Sequence, residues 1–254
     1  MIAPSYRAVR AWQRNFDVFR KTWFSQVAFT VVEPLITLTA LGLGLGGFVT
    51  LGSEASYKEF LAPGLLAAYA MFSSASECAW GTYFRLEFQR TFDAMIVTPL
   101  TIEDVIAGEI LWGATRTIET TLALLLVITL FGVPVAPTAV LLFPAMLVQG
   151  IVFAAAGVIV VSLIPSIGQL NHFFTLFLIP QYMFGGVFFP LTNFPSWVTA
   201  VSWFMPLHHG VEVARSLVAG RMDADLLGHM AWLIVMAVVL TAVSLRLMRR
   251  RLIH

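Results

Sequence analysis

Six long apolar runs divide the chain, at roughly 27–50, 60–82, 108–131, 138–163, 168–190 and 229–248. A helix needs about 20 mostly apolar residues to cross a bilayer, so the pattern predicts an all-α polytopic fold with six transmembrane helices. The third and fourth runs are joined by Phe131-Gly-Val-Pro-Val-Ala-Pro137, and the fourth and fifth by Ile164-Pro-Ser-Ile-Gly168. Proline and glycine at that density mark tight hairpins. Ahead of the first run, Val9, Trp12, Phe16, Phe19 and Trp23 recur at helical spacing, with Arg7, Arg10, Arg14, Asp17 and Lys21 on the opposite face. This predicts an amphipathic helix over 5–24 whose basic face suits an anionic membrane surface. Either it is a simple interfacial anchor, or it is a lever packed on the ends of the spans.

Two segments between the runs have a pattern of their own. Residues 83–105 are helix-compatible from Leu86 to Val97, with Phe88, Phe92 and Met95 on one face. Pro99 ends that helix, because the residue before a proline avoids the helical region. Thr101 then reads as an N-cap, with Glu103 and Asp104 in the first turn that follows. The aromatic face of 86–97 either lies on the bilayer or inserts into a groove on a partner. In the second segment, 191–228, the apolar stretch between Pro195 and Pro206 is too short to cross and predicts a re-entrant or interfacial helix. Trp197, Trp203 and Phe204 suit an interface belt. A second short helix over 207–220 would pair Glu212 with Arg215.

Composition agrees with a lipid solvent. Of the 254 residues, 59% are hydrophobic and only 11% charged, against about 25% charged in a soluble domain. Residues 1–254 therefore read as a single transmembrane domain. The basic residues are unevenly placed. Arg7, Arg10, Arg14, Arg20, Lys21, Arg85, Arg90, Arg246, Arg249, Arg250 and Arg251 fall on one side of a six-span chain, and Lys58, Arg215 and Arg221 on the other. By the positive-inside rule both termini are cytoplasmic. The single cysteine, Cys78, excludes an internal disulfide.

Charge inside a span demands an explanation. Glu33 lies on the first run, Glu77 near the end of the second, and Glu109, Arg116 and Glu119 on the third. An Arg116–Glu119 pair, with Glu109 near the rim, would lower the cost. These groups are either structural pairs or the lining of a polar path. Gly42, Gly44, Gly46, Gly47, Pro144, Gly150, Gly157, Pro180, Gly185 and Gly186 interrupt the runs and favour close helix packing. His208 and His209 have no carboxylate or cysteine cluster beside them in sequence, so no metal site is expected.

The stretch Phe92-Asp-Ala-Met-Ile-Val-Thr-Pro-Leu100, followed by Glu103-Asp104 and Gly108-Glu109, resembles the signature of permease subunits of type-2 ABC exporters. Further matching segments are Glu33-Pro34 with Leu41-Gly-Leu-Gly-Leu-Gly-Gly47, Phe60-Leu-Ala-Pro-Gly64, Phe188-Phe-Pro190 with Phe194-Pro195, and Pro206-Leu-His-His-Gly-Val-Glu-Val-Ala-Arg215. Together they are similar to the nodulation-type lipo-oligosaccharide permeases, the NodJ family, over nearly the whole chain. The resemblance implies a homodimer in the inner membrane, with one ABC ATPase subunit bound to each permease and hence two copies in all. It places the docking surface at Phe88, Phe92, Asp93, Met95, Thr98, Pro99 and Leu100. It also implies an outer helical hairpin that helps close the exit, with Trp197, Trp203 and Phe204 as gate candidates. The cargo would be a lipo-oligosaccharide or similar amphipathic glycan, although related members export polysaccharides or hydrophobic drugs.

The residues add an independent constraint. No Gly-x-x-x-x-Gly-Lys-Ser/Thr phosphate loop occurs, and the only lysines are Lys21 and Lys58. ATP and magnesium would therefore sit on a separate chain, and this chain is expected to bind no cofactor, metal or nucleic acid itself. His-Glu-x-x-His and Gly-x-Ser-x-Gly motifs are missing too, which argues against a membrane-embedded enzyme. A passive channel or secondary carrier is the other alternative. Carriers often show two-fold repeats, and none is visible here.

Overall fold

The computed structural model describes residues 4–44 and 56–253, all helices, turns and irregular segments. In chain order the α-helices are α1 (Ala8–Thr37), α2 (Tyr57–Ser76), α3 (Thr91–Ile96), α4 (Ile102–Leu130), α5 (Leu142–Leu163), α6 (Leu170–Phe173), α7 (Ile179–Phe184), α8 (Ser196–Trp203), α9 (Pro206–Val218) and α10 (Ala224–Ile253). Among the described residues, four stretches are long and apolar enough to cross a membrane: Ala8–Gly42, Ile102–Leu130, Pro137–Leu163 and Ala224–Ile253. Gly46, Gly47 and the end of the first expected span lie outside the described residues.

The helical run of α2 continues through π-helical turns at Glu77–Gly81 and Phe84–Phe88. The expected span over 168–190 is shorter than its apolar run. It passes through a π-helical turn at Phe174–Leu178 and stops at Phe184. Pro180 cannot donate the backbone bond that would continue a regular helix, and Gly186 takes φ 84, a left-handed conformation open to glycine at no steric cost.

α5 is the central helix, packing on α4, α10, α2 and α9. Small residues make this possible. A Cβ on Gly157 would meet the Ala75 carbonyl of α2 at 3.0 Å, so the two backbones are already in contact there. The lateral helices are different. Half of the α4 window and 56% of the α5 window are buried, against 12% for α1 and 17% for α10.

The amphipathic segment 5–24 is no separate helix: α1 carries it into the first span without a break. The middle of its apolar stripe also faces protein, while Val9 and Trp23 are exposed. Ala8 and Ala11 are buried against α4, where a Cβ on Gly108 would sit 2.8 Å from the Ala8 carbonyl. Further along, Trp12 stacks on Phe16, and Phe16 and Phe19 both pack on Trp112. The segment thus packs on α4, with Trp12 also donating to the Thr115 hydroxyl at 2.9 Å.

Candidate functional site

The segment between α2 and α4 begins where α2 breaks. Arg90 adopts φ 51, ψ 30, and this left-handed residue separates the π-helical turn Phe84–Phe88 from α3. The continuous 86–97 helix expected from periodicity is therefore two pieces. Phe88 is 62% exposed, whereas Phe92 is fully buried in the core of this chain. Phe92 as an exposed docking anchor is thereby corrected: its aromatic face already has a partner in its own chain. Met95 and Leu100 are half-buried, and Asp93, Val97, Thr98 and Pro99 are exposed.

The return into α4 follows the expected capping. Thr101 accepts from the Asp104 backbone N–H at 3.2 Å, and Asp104 accepts from the Thr101 N–H at 3.1 Å. The second Asp104 oxygen accepts from the Ser5 N–H at 2.6 Å, which ties the start of the chain to the same turn. Arg7 adds a bond to the Pro99 carbonyl at 2.7 Å. The far end of α10 grips both flanks of the segment. Arg251 pairs with Glu87 at 2.6 Å and Arg249 with Glu103 at 2.8 Å, and Arg251 also donates to the Val161 and Ile164 carbonyls at the end of α5.

Directly inside this segment lies an ionic network. Glu109 is fully buried and accepts from Arg85, from Thr82 at 2.8 Å and from Asn15 at 2.8 Å. Arg85 also holds Glu77 at 3.0 Å. Further along α4, Arg116 pairs with Glu119, lies 3.9 Å from Glu77 and sits over the Phe19 ring at 4.7 Å. The Arg116–Glu119 pair is as expected. Glu109, however, belongs to Arg85, in the π-helical turn Phe84–Phe88 that continues α2. A buried charge stays ionised only with a well-placed partner, and seven residues of α4 put Glu109 about 10 Å from Arg116 along the axis.

Among the described residues three recesses open beside α1; the smallest, about 200 Å³, is lined by Arg14, Asn15, Phe19, Glu77 and Arg85, and two are larger. One, about 400 Å³, is lined by Thr30, Glu33, Tyr69, Ser73, Glu77, Trp80 and neighbours. The other, about 380 Å³ and mainly apolar, lies between Phe16, Phe19, Trp23 and Val27 of α1 and Trp112 and Leu122 of α4.

At the other end of the bundle, α8 and α9 form the short helical pair expected over 191–228. Trp197, Trp203 and Phe204 are all exposed there. Glu212 and Arg215 pair at 3.0 Å as expected from their spacing. Arg215 further donates to the Gly186 carbonyl at 2.5 Å and the Phe60 carbonyl at 3.4 Å, with its guanidinium 3.7 Å above the Phe60 ring. His209 is buried, its Nε2 donating to the Trp203 carbonyl at 2.7 Å and its Nδ1 facing His229 Nδ1 at 2.7 Å.

Comparison with known proteins places the chain. The profile of the ABC-2 type transporter family matches residues 8–219. The chain belongs to the ABC-2 type transporter family. It is 30% identical over 251 residues to Nodulation protein J of Sinorhizobium fredii, covering 99% of this chain and 96% of the relative. To Nodulation protein J of Rhizobium leguminosarum bv. viciae it is 31% identical over 243 residues, covering 96% and 94%. A more distant relative is the inner membrane transport permease YadH of Escherichia coli, 25% identical over 246 residues, with 94% and 93% covered. As an ABC-2 permease the chain is a multi-pass membrane protein and a transport subunit.

Within this ABC-2 permease the sequence located Glu77, Glu109, Arg116 and Glu119 but missed Asn15, Thr82 and Arg85 as the groups that satisfy Glu109. It also missed His229, 20 residues from His209 and on another helix. Only the excess of carboxylates over cations on the third run hinted that a cation must arrive from elsewhere.

Proposed function

We propose that the chain is the membrane-spanning permease of an ATP-driven exporter that moves a lipo-oligosaccharide or similar amphipathic glycan from the cytoplasmic side outward. The spans are α1, α2, α4, α5, the interrupted helix over 167–184, and α10, with both termini cytoplasmic in the inner membrane. Two permeases form a homodimer, and each engages one ABC ATPase subunit, which binds ATP and magnesium.

The observation that carries this reading is the segment from Arg90 to Pro99. It projects Asp93, Val97, Thr98 and Pro99 to solvent while Phe92 is sunk in the core and Arg249 and Arg251 fasten its flanks. A loop with no further role has no need of a buried aromatic root and two ion pairs at its base. A rigidly rooted, exposed tip is what transmits a push from a partner to the spans. The ionic network directly behind it connects α2 and α4, and the outer helical pair bearing Trp197, Trp203 and Phe204 closes the far end.

The test is co-purification of the permease in detergent with the ABC ATPase encoded beside it. Wild type should retain the ATPase, and Val97→Glu and Phe88→Glu should lose it with unchanged melting temperature, because both side chains are exposed. An ATPase that ignores wild-type permease would remove the motor and bring the channel or carrier alternative forward.

A further inference from the structure

The two larger recesses beside α1 adjoin and differ in character. Phe16, Phe19, Trp23, Val27, Thr30 and Glu33 follow one another at helical spacing, so they share a single stripe of α1. The first four line the apolar recess and the last two the polar one. Arg116 lines both, so the recesses adjoin. An apolar trough running into a polar pocket is the shape complement of an amphiphile.

The charges of the polar recess decide what the head must be. Glu33 and Glu77 face it with one cation, Arg116. Arg116 is already engaged by Glu119, and Glu77 by Arg85. Glu33 is exposed at the mouth of the recess, and its carboxylate forms neither hydrogen bond nor ion pair among the described residues. A carboxylate on a spanning helix without a partner is costly, and such groups mark ligand or ion sites. The remaining lining offers hydroxyl acceptors at Tyr69, Ser73 and Thr120, beside the aromatic side chains of Phe72 and Trp80.

We propose that this site binds an amphiphile whose head carries a protonated amine, the ammonium beside Glu33 and the chain along the Phe16–Val27 trough. A phosphate or carboxylate head is repelled by the two carboxylates, and a neutral glycoside leaves the Glu33 charge unanswered. As cargo recognition the idea rests on the exporter reading and narrows its amphipathic glycan to one that carries an amine. As a binding site it stands on the recess alone.

The full chain in nanodiscs of zwitterionic lipid is titrated with fluorescent alkyl probes of one chain length bearing a primary amine, a maltoside or a phosphate. The amine should bind about tenfold more tightly than the maltoside, and the phosphate weakest. Glu33→Gln, which keeps shape and removes charge, should weaken the amine about tenfold and leave the maltoside within about twofold. Glu33→Lys should reverse the order of amine and phosphate, and where that variant does not fold, Glu33→Gln decides. Equal binding of the three probes, or an amine affinity unmoved by Glu33→Gln, overturns the proposal. If those results come from protein that still co-purifies with its ATPase, the exporter reading survives. If selectivity for the amine holds while no ATPase binds, the exporter reading fails and the site remains.

Discussion

Arg85 and Arg215 lie at opposite ends of the bundle, with side chains 12% and 11% exposed, and the protein neutralises them by different means. Burial opposes the charge on Arg85, but Glu109 and Glu77 outweigh it and hold its pKa above the ordinary arginine value. At Arg215 burial wins and lowers the pKa, because Glu212 is the one carboxylate it bonds and the rest of its shell is carbonyl oxygens and an aromatic ring. One end is thus held by charges that need one another. The other is held by the geometry of a planar fork on backbone acceptors. The first kind of bond has an alternative pairing at hand, because Glu77 lies 3.0 Å from Arg85 and 3.9 Å from Arg116. The second has a single fit.

The largest effect comes from breaking the charged end. Arg85→Ala leaves Glu109 buried without its cation, and the expected loss is about 3–5 kcal/mol, read as a collapse of the melting temperature in detergent. Adding Glu109→Gln should recover part of that loss, since the orphaned charge and not the missing side chain is responsible. A double-mutant cycle without recovery would refute a charge-held end.

A lysine at each position sharpens the contrast. Arg85→Lys keeps a point charge between two carboxylates, whereas Arg215→Lys loses the fork that reaches Gly186, Phe60 and Glu212 together. Arg215→Lys should therefore cost about 1.5–3 kcal/mol and Arg85→Lys clearly less, measured side by side by thermal unfolding. The reverse ranking would break the comparison.

The smallest expected effect is pH-dependent and confined to the Arg215 end. Burial pushes His209 down to about 4 and also lowers His208, with Glu212, Arg215 and His229 the charged or titratable groups around them. The folded pKa of His209 lies below the unfolded value of about 6.5. Its stabilising contribution is thus complete above pH 6.5 and is lost as the pH falls toward 4. By pH 5.5 the loss is about 1 kcal/mol, or about 2–4 °C for a chain of this size. His209→Phe should flatten that dependence, and a wild-type melting temperature constant from pH 7 to 5.5 would count against it.

Much of the molecule was legible because lipid simplifies the code. Apolar runs, their proline and glycine joints and the Thr101 cap are local signals, and the structure has helices, turns and a capping box where they fall. The pairs Arg116–Glu119 and Glu212–Arg215 were legible for the same reason, each lying three residues apart on one helix. Phe92 shows the limit. Its helical spacing from Phe88 suggested a shared exposed face, but the left-handed turn at Arg90 rotates one against the other.

By itself the sequence determined that the chain is helical with several apolar segments joined by proline and glycine turns, and the family to which it belongs. Only the tertiary structure decided which cation answers Glu109, that Phe92 points inward, that the basic first segment packs along α4, and that Glu33 is left facing a recess. Periodicity reports the face a residue occupies on its own helix. What lies opposite that face depends on contacts between residues far apart in sequence, such as Asn15 with Glu109 and Glu87 with Arg251, and no local pattern encodes them.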